Sequence, residues 1–184
     1  MHINTLILDA FWVSNKPFPT SLTPNLGEGR AFYDYYDGPA RYLGWMDLIL
    51  LKDIIKKHHI NHIILQNLEA LGKIGQINKQ IKVCVSYKNH HFILPSLEHS
   101  LKIPKLSSQK LELSHCEPIY HIVGFGGWEF SDDDTTLPLR AQQYIRYLLI
   151  HTRVDSITYL NSKFKFTAHF DAFGKVIFET EANT

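Results

Sequence analysis

An α/β fold that closes with a β-hairpin is the architecture that this sequence predicts. Apolar strand-like segments alternate with amphipathic helix-like segments through most of the 184 residues, an order typical of helices layered on a sheet. From residue 164 onward, apolar and polar residues alternate with period two, which indicates a hairpin with one apolar face. The length suits one domain with a real core, and we expect a single domain over residues 1–184.

The first predicted element is a strand. Residues 3–13 are rich in aliphatic and aromatic side chains without a helical period, which predicts a buried strand. Three prolines between residues 17 and 24 then predict an extended loop, because proline lacks an N–H group and restricts the residue before it. A short helix is predicted over residues 29–36, ending before Gly38 and Pro39.

The clearest helix of the first half covers residues 45–58. Its apolar residues form one broad face, and its charged side chains are expected to point outward: Asp47, Lys52, Asp53, Lys56 and Lys57. The basic end of the segment suits the negative pole of the helix dipole. Strands are predicted over residues 62–66, 81–87 and 118–123, and a glycine loop follows at 124–127.

The second half ends with a helix and the hairpin. A helix is predicted over residues 138–151, with Pro138 near its start, where a missing N–H group costs nothing. The hairpin is expected over residues 162–180, with a glycine-containing turn at 171–174. Its apolar face consists of Phe164, Phe166, Ala168, Phe170, Val176 and Phe178.

Composition excludes several classes of function. The net charge of +1 gives no field that would attract nucleic acid. The N-terminus lacks a basic region and meets Asp9 too early for a signal peptide, and no apolar run approaches the ~20 residues that span a bilayer. The two cysteines, Cys84 and Cys116, fit a reducing compartment better than a disulfide framework. We therefore expect a cytoplasmic protein with neither membrane nor nucleic acid as a partner.

Candidate metal and nucleophile sites are weak, and we expect no metal site. His58 and His62 are four residues apart, but no glutamate stands between them as in a zinc-binding helix, and the helix is expected to end first. The acidic run at 132–134 lacks the spacing of a calcium loop and is read as a cap or a solvated surface. The glycines at 124–127 indicate turn geometry rather than a phosphate cradle. Cys84 is read as core packing.

A series of short motifs in fixed order is more specific. The series is PFPT at 17–20, GWMD at 44–47, IKVCVSY at 81–87, EPIY at 117–120, GW at 127–128 and LPLRAQQYI at 137–145. In this order they resemble the C-terminal half of adenylosuccinate synthetase, the GTP-dependent ligase of purine biosynthesis that joins IMP to aspartate. The resemblance covers roughly residues 3–160, and it implies a mixed sheet with flanking helices. The hairpin lies beyond it.

The resemblance implies GTP and Mg²⁺ as the family's cofactors, but it omits the family's N-terminal half. That half carries the phosphate loop and the catalytic acid/base pair, and no G-x-x-x-x-G-K-[ST] motif occurs in this sequence. We therefore expect no catalytic residues and no cofactor for this chain alone, which makes it a pseudoenzyme by itself.

Arg41 is the first candidate ligand-binding residue that the resemblance implies. In the family, a TGRxRR segment before the GW motif binds aspartate, IMP and phosphate. Here that segment reads DGPARY at residues 37–42, so that Arg41 matches the middle arginine and Pro39 stands at the first. Arg41 is either a retained ligand contact or a surface arginine near a helix start.

Three further candidates are implied at the guanine site. The family's TKLD segment becomes QNLE at residues 66–69. Glu69 offers the carboxylate that reads guanine, whereas Asn67 lacks the charge and long stem of the family's lysine. Asn161 lies in the stretch that replaces the family's second guanine-binding segment, SxGPxRxxTI, and this stretch lacks the glycine–proline pair. Simple surface exposure is the preferred reading of Asn67 and Glu69.

Two functions follow as expectations. The first is a catalytically inactive interaction or regulatory module. The second is a protein that binds a purine nucleotide, GTP or IMP, weakly, or that completes a split synthetase with a separate N-terminal half. The absent half would leave an apolar sheet edge or face open, so we expect self-association or a protein partner, with the hairpin contributing to the cover.

Overall fold

The computed structural model describes residues 3–39, 41–88, 116–131 and 135–183. Helices and strands interleave along the chain, as an α/β fold requires. The helices are α1 (Gly29–Tyr35), α2 (Leu48–His58), α3 (Leu68–Asn78) and α4 (Leu139–Thr152). The strands are β1 (Thr5–Asp9), β2 (Trp12–Ser14), β3 (Tyr42–Gly44), β4 (Met46–Asp47), β5 (His62–Gln66), β6 (Gln80–Lys88), β7 (Glu117–Phe125), β8 (Ser156–Leu160), β9 (Phe164–Phe170) and β10 (Val176–Ala182).

The largest sheet is mixed and has the strand order β1-β5-β8-β9-β10. Strands β1, β5 and β8 run parallel, whereas β9 and β10 run antiparallel to their neighbours. A three-stranded sheet, β4-β6-β7, and a short pair, β2-β3, complete the strands that the structure describes. The predicted α/β fold with a mixed sheet, flanking helices and a C-terminal hairpin is therefore confirmed.

The N-terminal prediction of one buried strand over residues 3–13 is wrong. Two short strands occupy this segment, separated by the buried Ala10 and Phe11. Strand β1 lies at the edge of the sheet, and 58% of Ile7 and 73% of Ile3 are exposed. An edge strand has a neighbour on one side only, so an apolar segment can form a strand without being buried.

Helix α2 begins at Leu48, three residues later than predicted, and Asp47 does not point outward. Its side chain is buried and caps the helix by accepting hydrogen bonds from the N–H groups of Ile49 and Leu50, at 3.0 and 3.1 Å. The hydroxyl of Tyr87 also donates to this carboxylate. Asp47 is therefore an internal anchor that joins the GWMD motif to the IKVCVSY motif.

Helix α3 and strand β8 were not predicted from the sequence. Two glycines, Gly72 and Gly75, lower the helical propensity of α3. Both face the core, where a Cβ atom on Gly72 would lie 2.5 Å from the carbonyl oxygen of Trp128. A left-handed residue stands at each end of the helix, Asn67 with φ of 55° and Lys79 with φ of 63°. Tertiary packing therefore forms a helix where the local sequence argues against one.

The C-terminal hairpin runs from Phe164 to Ala182, two residues later than predicted. Val176 pairs with Phe170, and Gly174 takes the positive φ of 77° that the turn requires. Strand β9 also pairs with β8, so the hairpin extends the parallel strands and covers one side of β8. Its apolar side chains pack on the main core, with Phe166 and Ala168 fully enclosed.

The motifs that carry the family resemblance make structural contacts. A Cβ atom on Gly44 would lie 2.2 Å from the carbonyl oxygen of Thr20, so GWMD packs directly against PFPT. The indole of Trp128 donates to the carbonyl of Leu68 at 3.0 Å, which fixes the start of α3. The hydroxyl of Tyr144 in α4 donates to the backbone of the β1–β2 connection. These residues hold the fold together.

Candidate functional site

The carboxyl ends of β1, β5 and β8 meet at one edge of the mixed sheet. Asp9 pairs with Gln66 across β1 and β5, and Leu65 pairs with Tyr159 across β5 and β8. Open α/β sheets bind ligands at this edge. We use the name carboxyl-end cluster for the polar residues that lie here: Asp9, Asn67, Glu69, Tyr159 and Asn161.

Asn67 follows β5 and is held by a contact to β1. Its left-handed backbone is one that asparagine tolerates better than most residues. The side chain makes no capping hydrogen bond to α3 and instead donates its amide to the carboxylate of Asp9. Asn67 therefore ties the ends of β1 and β5 together.

Glu69 lies in the first turn of α3, where an acidic side chain suits the positive pole of the helix. Its carboxylate accepts a hydrogen bond from the hydroxyl of Tyr159, a residue that is only 2% exposed. Burial raises the pKa of Tyr159, and the bond to Glu69 and its negative charge raise that pKa further. Tyr159 therefore stays a neutral donor, and one carboxylate oxygen of Glu69 is occupied.

Asn161 forms the turn between β8 and β9. Its side-chain oxygen accepts hydrogen bonds from the N–H groups of Lys163 and Phe164, at 2.8 and 2.6 Å. Its backbone carbonyl accepts a further hydrogen bond from the side chain of Asn183 at 2.8 Å. Asparagine commonly stabilises turns in this way, and this contact pattern closes the hairpin onto β8.

Arg41 lies in a different environment, at a pocket of about 260 Å³. The apolar side chains of β1, β2 and α2 line most of this pocket, and Asp9 lies at it as well. The Nε atom of Arg41 is buried and, in the described part of the chain, has no hydrogen-bond partner. A guanidinium nitrogen that is out of water and unpaired is energetically costly.

The structure thus brings three of the four predicted residues to one sheet edge and places Arg41 at a pocket that Asp9 also lines. Asp9 is the link, because it accepts from Asn67 and also lies at the pocket of Arg41. Sequence reasoning missed both Asp9 and Tyr159. The available signals were an acidic residue that ends an apolar segment, and a tyrosine within the apolar run that forms β8.

A second polar cluster lies in the core around Asp47. Burial of the Asp47 carboxyl raises its pKa. The Cys84 thiol is also buried, and this burial together with the charge of Asp47 raises the pKa of Cys84 to about 12. Cys84 is fully buried in strand β6, and Cys116 is nearly so. Cys84 is therefore a neutral, unreactive thiol, which agrees with its interpretation as core packing.

The alternative sites have structural explanations where the structure describes them. His58 ends α2, and His62 in β5 shares a 2.6 Å hydrogen bond with Ser156 instead of facing His58. Gly126 has a φ of 70°, and a Cβ atom on Gly127 would lie 1.8 Å from the carbonyl oxygen of Gly72. These glycines serve a turn and a close contact.

Among the described ranges, no group of three or more histidine, cysteine or acidic residues is arranged to hold a metal ion. The acidic run at 132–134 lies outside those ranges. None of the described helices is both long enough and apolar enough to cross a membrane.

Comparisons with known proteins agree on one family. The family model described as adenylosuccinate synthetase matches residues 10–160. A protein named adenylosuccinate synthetase from Thermoanaerobacter sp. (strain X514) is 34% identical over 147 residues, which cover 73% of this chain and 30% of the relative. A relative of the same name from Clostridium beijerinckii is 28% identical over 141 residues, which cover 72% of this chain and 29% of the relative.

The fold comparison gives the same result. The solved structure of fully ligated adenylosuccinate synthetase from Plasmodium falciparum superposes with a TM-score of 0.59 at 22% identity, covering 84% of this chain and 37% of that one. The chain thus spans about 30% of the length of the curated relatives that it matches. The matched segment ends at residue 160, so the hairpin lies beyond it.

Proposed function

The chain belongs to the adenylosuccinate synthetase family, and we propose that its domain is catalytically inactive by itself and acts as a protein-interaction or regulatory module. In this proposal, the chain keeps the family's motifs that build the fold. The residues at the family's nucleotide-binding positions instead bind other residues of the same chain.

The observation that carries the proposal is the bonding at the guanine positions. Asn67 is bound to Asp9, Glu69 is bound to Tyr159, and Asn161 closes a turn. Reading the edge of a guanine base takes both oxygens of a carboxylate. If Glu69 turned to a base, the buried hydroxyl of Tyr159 would lose its acceptor, at a cost of ~1–3 kcal/mol.

The loop before the GW motif supports the same proposal. Two of the family's three arginine positions are occupied by Pro39 and Tyr42, neither of which carries the positive charge of an arginine. The remaining arginine, Arg41, lies at a mainly apolar pocket. A binding site for two anionic substrates and a phosphate needs more positive charge than this loop provides.

A second candidate function is weak purine-nucleotide binding, either by the chain alone or within a split synthetase. It is favoured by the exposure of Glu69 on α3 and by the guanidinium that Arg41 brings to the pocket lining. In this alternative, GTP would compete with Tyr159 for the Glu69 carboxylate.

Isothermal titration calorimetry with GTP, GDP and IMP tests the proposal. We expect no saturable heat for the wild-type chain at millimolar nucleotide. In a matched variant, Asn67→Lys and Glu69→Asp restore the family's residues at these two positions. Tyr159→Phe in the same variant frees the carboxylate at position 69. Saturable binding by the wild type that Glu69→Gln abolishes would contradict the proposal and support the second candidate.

Catalysis by a split enzyme has its own assay. The chain is mixed with the N-terminal remainder of the Thermoanaerobacter synthetase, together with IMP, GTP, Mg²⁺ and aspartate. We expect no adenylosuccinate, and the full-length Thermoanaerobacter protein is the positive control. Product that depends on both pieces would favour the split synthetase.

A further inference from the structure

We propose that the open edge of β1 and the pocket beside it bind an extended segment of another protein. That segment adds a strand to β1, places an aliphatic side chain in the pocket and presents a carboxylate to Arg41. The inference rests on the proposed function, because it identifies the surface and the partner chemistry of the interaction module.

The first observation is the edge itself. Strand β1 pairs with β5 on one side, and within the described ranges no strand lies on its other side. Two large apolar residues next to this edge, Ile3 and Ile7, are 73% and 58% exposed. Edge strands present unpaired N–H and C=O groups that readily accept another strand, and proteins usually protect them with charge or proline. Strand β1 contains no proline, and its single charged residue, Asp9, lies at its carboxyl end.

The second observation is the pocket that adjoins this edge. Leu6, Ile7 and Leu8 of β1 form one wall, and residues of β2 and α2 form the others. The volume of about 260 Å³ is below the ~300–1,000 Å³ of most small-molecule sites. The pocket therefore suits a single side chain that projects from an added strand, the arrangement by which strand addition gains specificity.

The third observation is the charge at the pocket. Arg41 brings a guanidinium to the pocket lining, and the carboxylate at the same pocket, Asp9, already accepts a hydrogen bond from Asn67. A carboxylate is the acceptor that matches a guanidinium best, because it can take two parallel hydrogen bonds. The occupant is therefore acidic at one position and aliphatic at its neighbours.

A second copy of this chain fits the surface less well. Two β1 edges could pair with each other, but β1 carries a single carboxylate, Asp9. Asp9 already accepts a hydrogen bond from Asn67 in its own chain. A foreign segment with a free glutamate or aspartate satisfies Arg41 without breaking that contact.

Selection from a phage-displayed library of random octapeptides tests the proposal on the full chain. We expect enrichment of peptides that alternate aliphatic residues and carry one acidic residue at a fixed position. A synthetic peptide of the enriched sequence is then compared with its glutamine analogue and with an analogue methylated at alternate backbone nitrogens. The acidic peptide should bind at least about tenfold more tightly than either analogue in fluorescence anisotropy.

Two protein variants complete the test. Arg41→Gln should remove the preference for the acidic peptide over its glutamine analogue, whereas Arg30→Gln removes the same charge from an exposed position on α1 and should leave the preference intact. Circular dichroism verifies that both variants fold. The Trp12 indole signal should shift in NMR spectra when peptide binds, because Trp12 lines the pocket.

Three results would overturn the inference. They are the absence of enriched peptides, equal binding of the acidic and glutamine peptides, and a stable dimer in sedimentation experiments that Ile7→Lys dissociates. The last result would assign the edge to a second copy. Nucleotide binding in calorimetry would refute the proposed function separately, because that measurement reports on Glu69 rather than on the β1 edge.

Discussion

Replacement of Asp47 by alanine should destabilise the domain strongly, although Asp47 is not part of the carboxyl-end cluster. The substitution removes the cap of α2, which is worth ~1 kcal/mol. It also leaves the buried hydroxyl of Tyr87 without its acceptor, at a cost of ~1–3 kcal/mol. The expected loss in the free energy of unfolding is therefore ~2–4 kcal/mol, a large share of the ~5–15 kcal/mol typical of a domain.

Asp47→Asn is the matched control. Asparagine caps helices as well as aspartate does, and its amide can donate to the oxygen of Tyr87. We expect a change within ~1 kcal/mol. Urea unfolding followed by tryptophan fluorescence measures both variants. The reasoning is refuted if alanine is tolerated as well as asparagine, or if asparagine costs as much as alanine.

The stability difference between the wild type and Asp47→Asn should depend on pH. Burial raises the pKa of Asp47 in the folded state above the ordinary value of 3.8. The folded state therefore binds this proton more tightly, so the stabilisation from Asp47 is complete below pH 3.8 and is lost as the pH rises through the folded pKa. The stability of wild type relative to Asp47→Asn should fall as the pH is raised from about 4 to about 7. A constant difference would show that Asp47 is not desolvated.

Three further predictions concern packing and the cluster, and each is measured by chemical unfolding. Gly127→Ala should cost ~1–3 kcal/mol or more, because its Cβ atom would lie 1.8 Å from the carbonyl oxygen of Gly72. Gly124→Ala is the control, because a Cβ atom there would have nothing within 4 Å. Equal effects of the two substitutions would contradict the close contact. Phe166→Ala should cost ~3–5 kcal/mol, whereas Phe173→Ala, at a residue that is 94% exposed, should be nearly neutral. A neutral effect of Phe166→Ala would mean that the hairpin does not pack on the main core. Tyr159→Phe should cost ~1 kcal/mol, because it removes the hydrogen bond to Glu69, and no loss would mean that this bond does not form.

Much of the fold could be predicted from the periodicity of apolar residues and from residues that start or end helices and strands. Alternation in the hairpin, the apolar face of α2 and the proline at the start of α4 are local signals, and the structure contains all three elements. Helix α3 could not be predicted, because its glycines are favoured by contacts with Trp128 and Gly126 that are distant in sequence. Asp47 was misplaced for a related reason, since a helix cap and an outward charge are indistinguishable without knowledge of Tyr87.

The candidate site was predictable only in part. The motif series identified Asn67, Glu69 and Asn161, and the structure places all three near the carboxyl ends of neighbouring strands. The hydrogen-bond partners of Asn67 and Glu69 are Asp9 and Tyr159, which come from other strands and are brought close only by the sheet register. Self-association or a protein partner, predicted from the missing half, remains a prediction.

The side-chain amide signals of Asn67 and Asn161 in a ¹⁵N NMR spectrum test the central claim most directly. Both amides report on the carboxyl-end cluster and are visible in one experiment. If the guanine contacts of the family have become internal contacts, both signals should stay in place when Mg²⁺ and GTP are added to millimolar concentration. A saturable shift of either signal, lost in Glu69→Gln, would contradict the account.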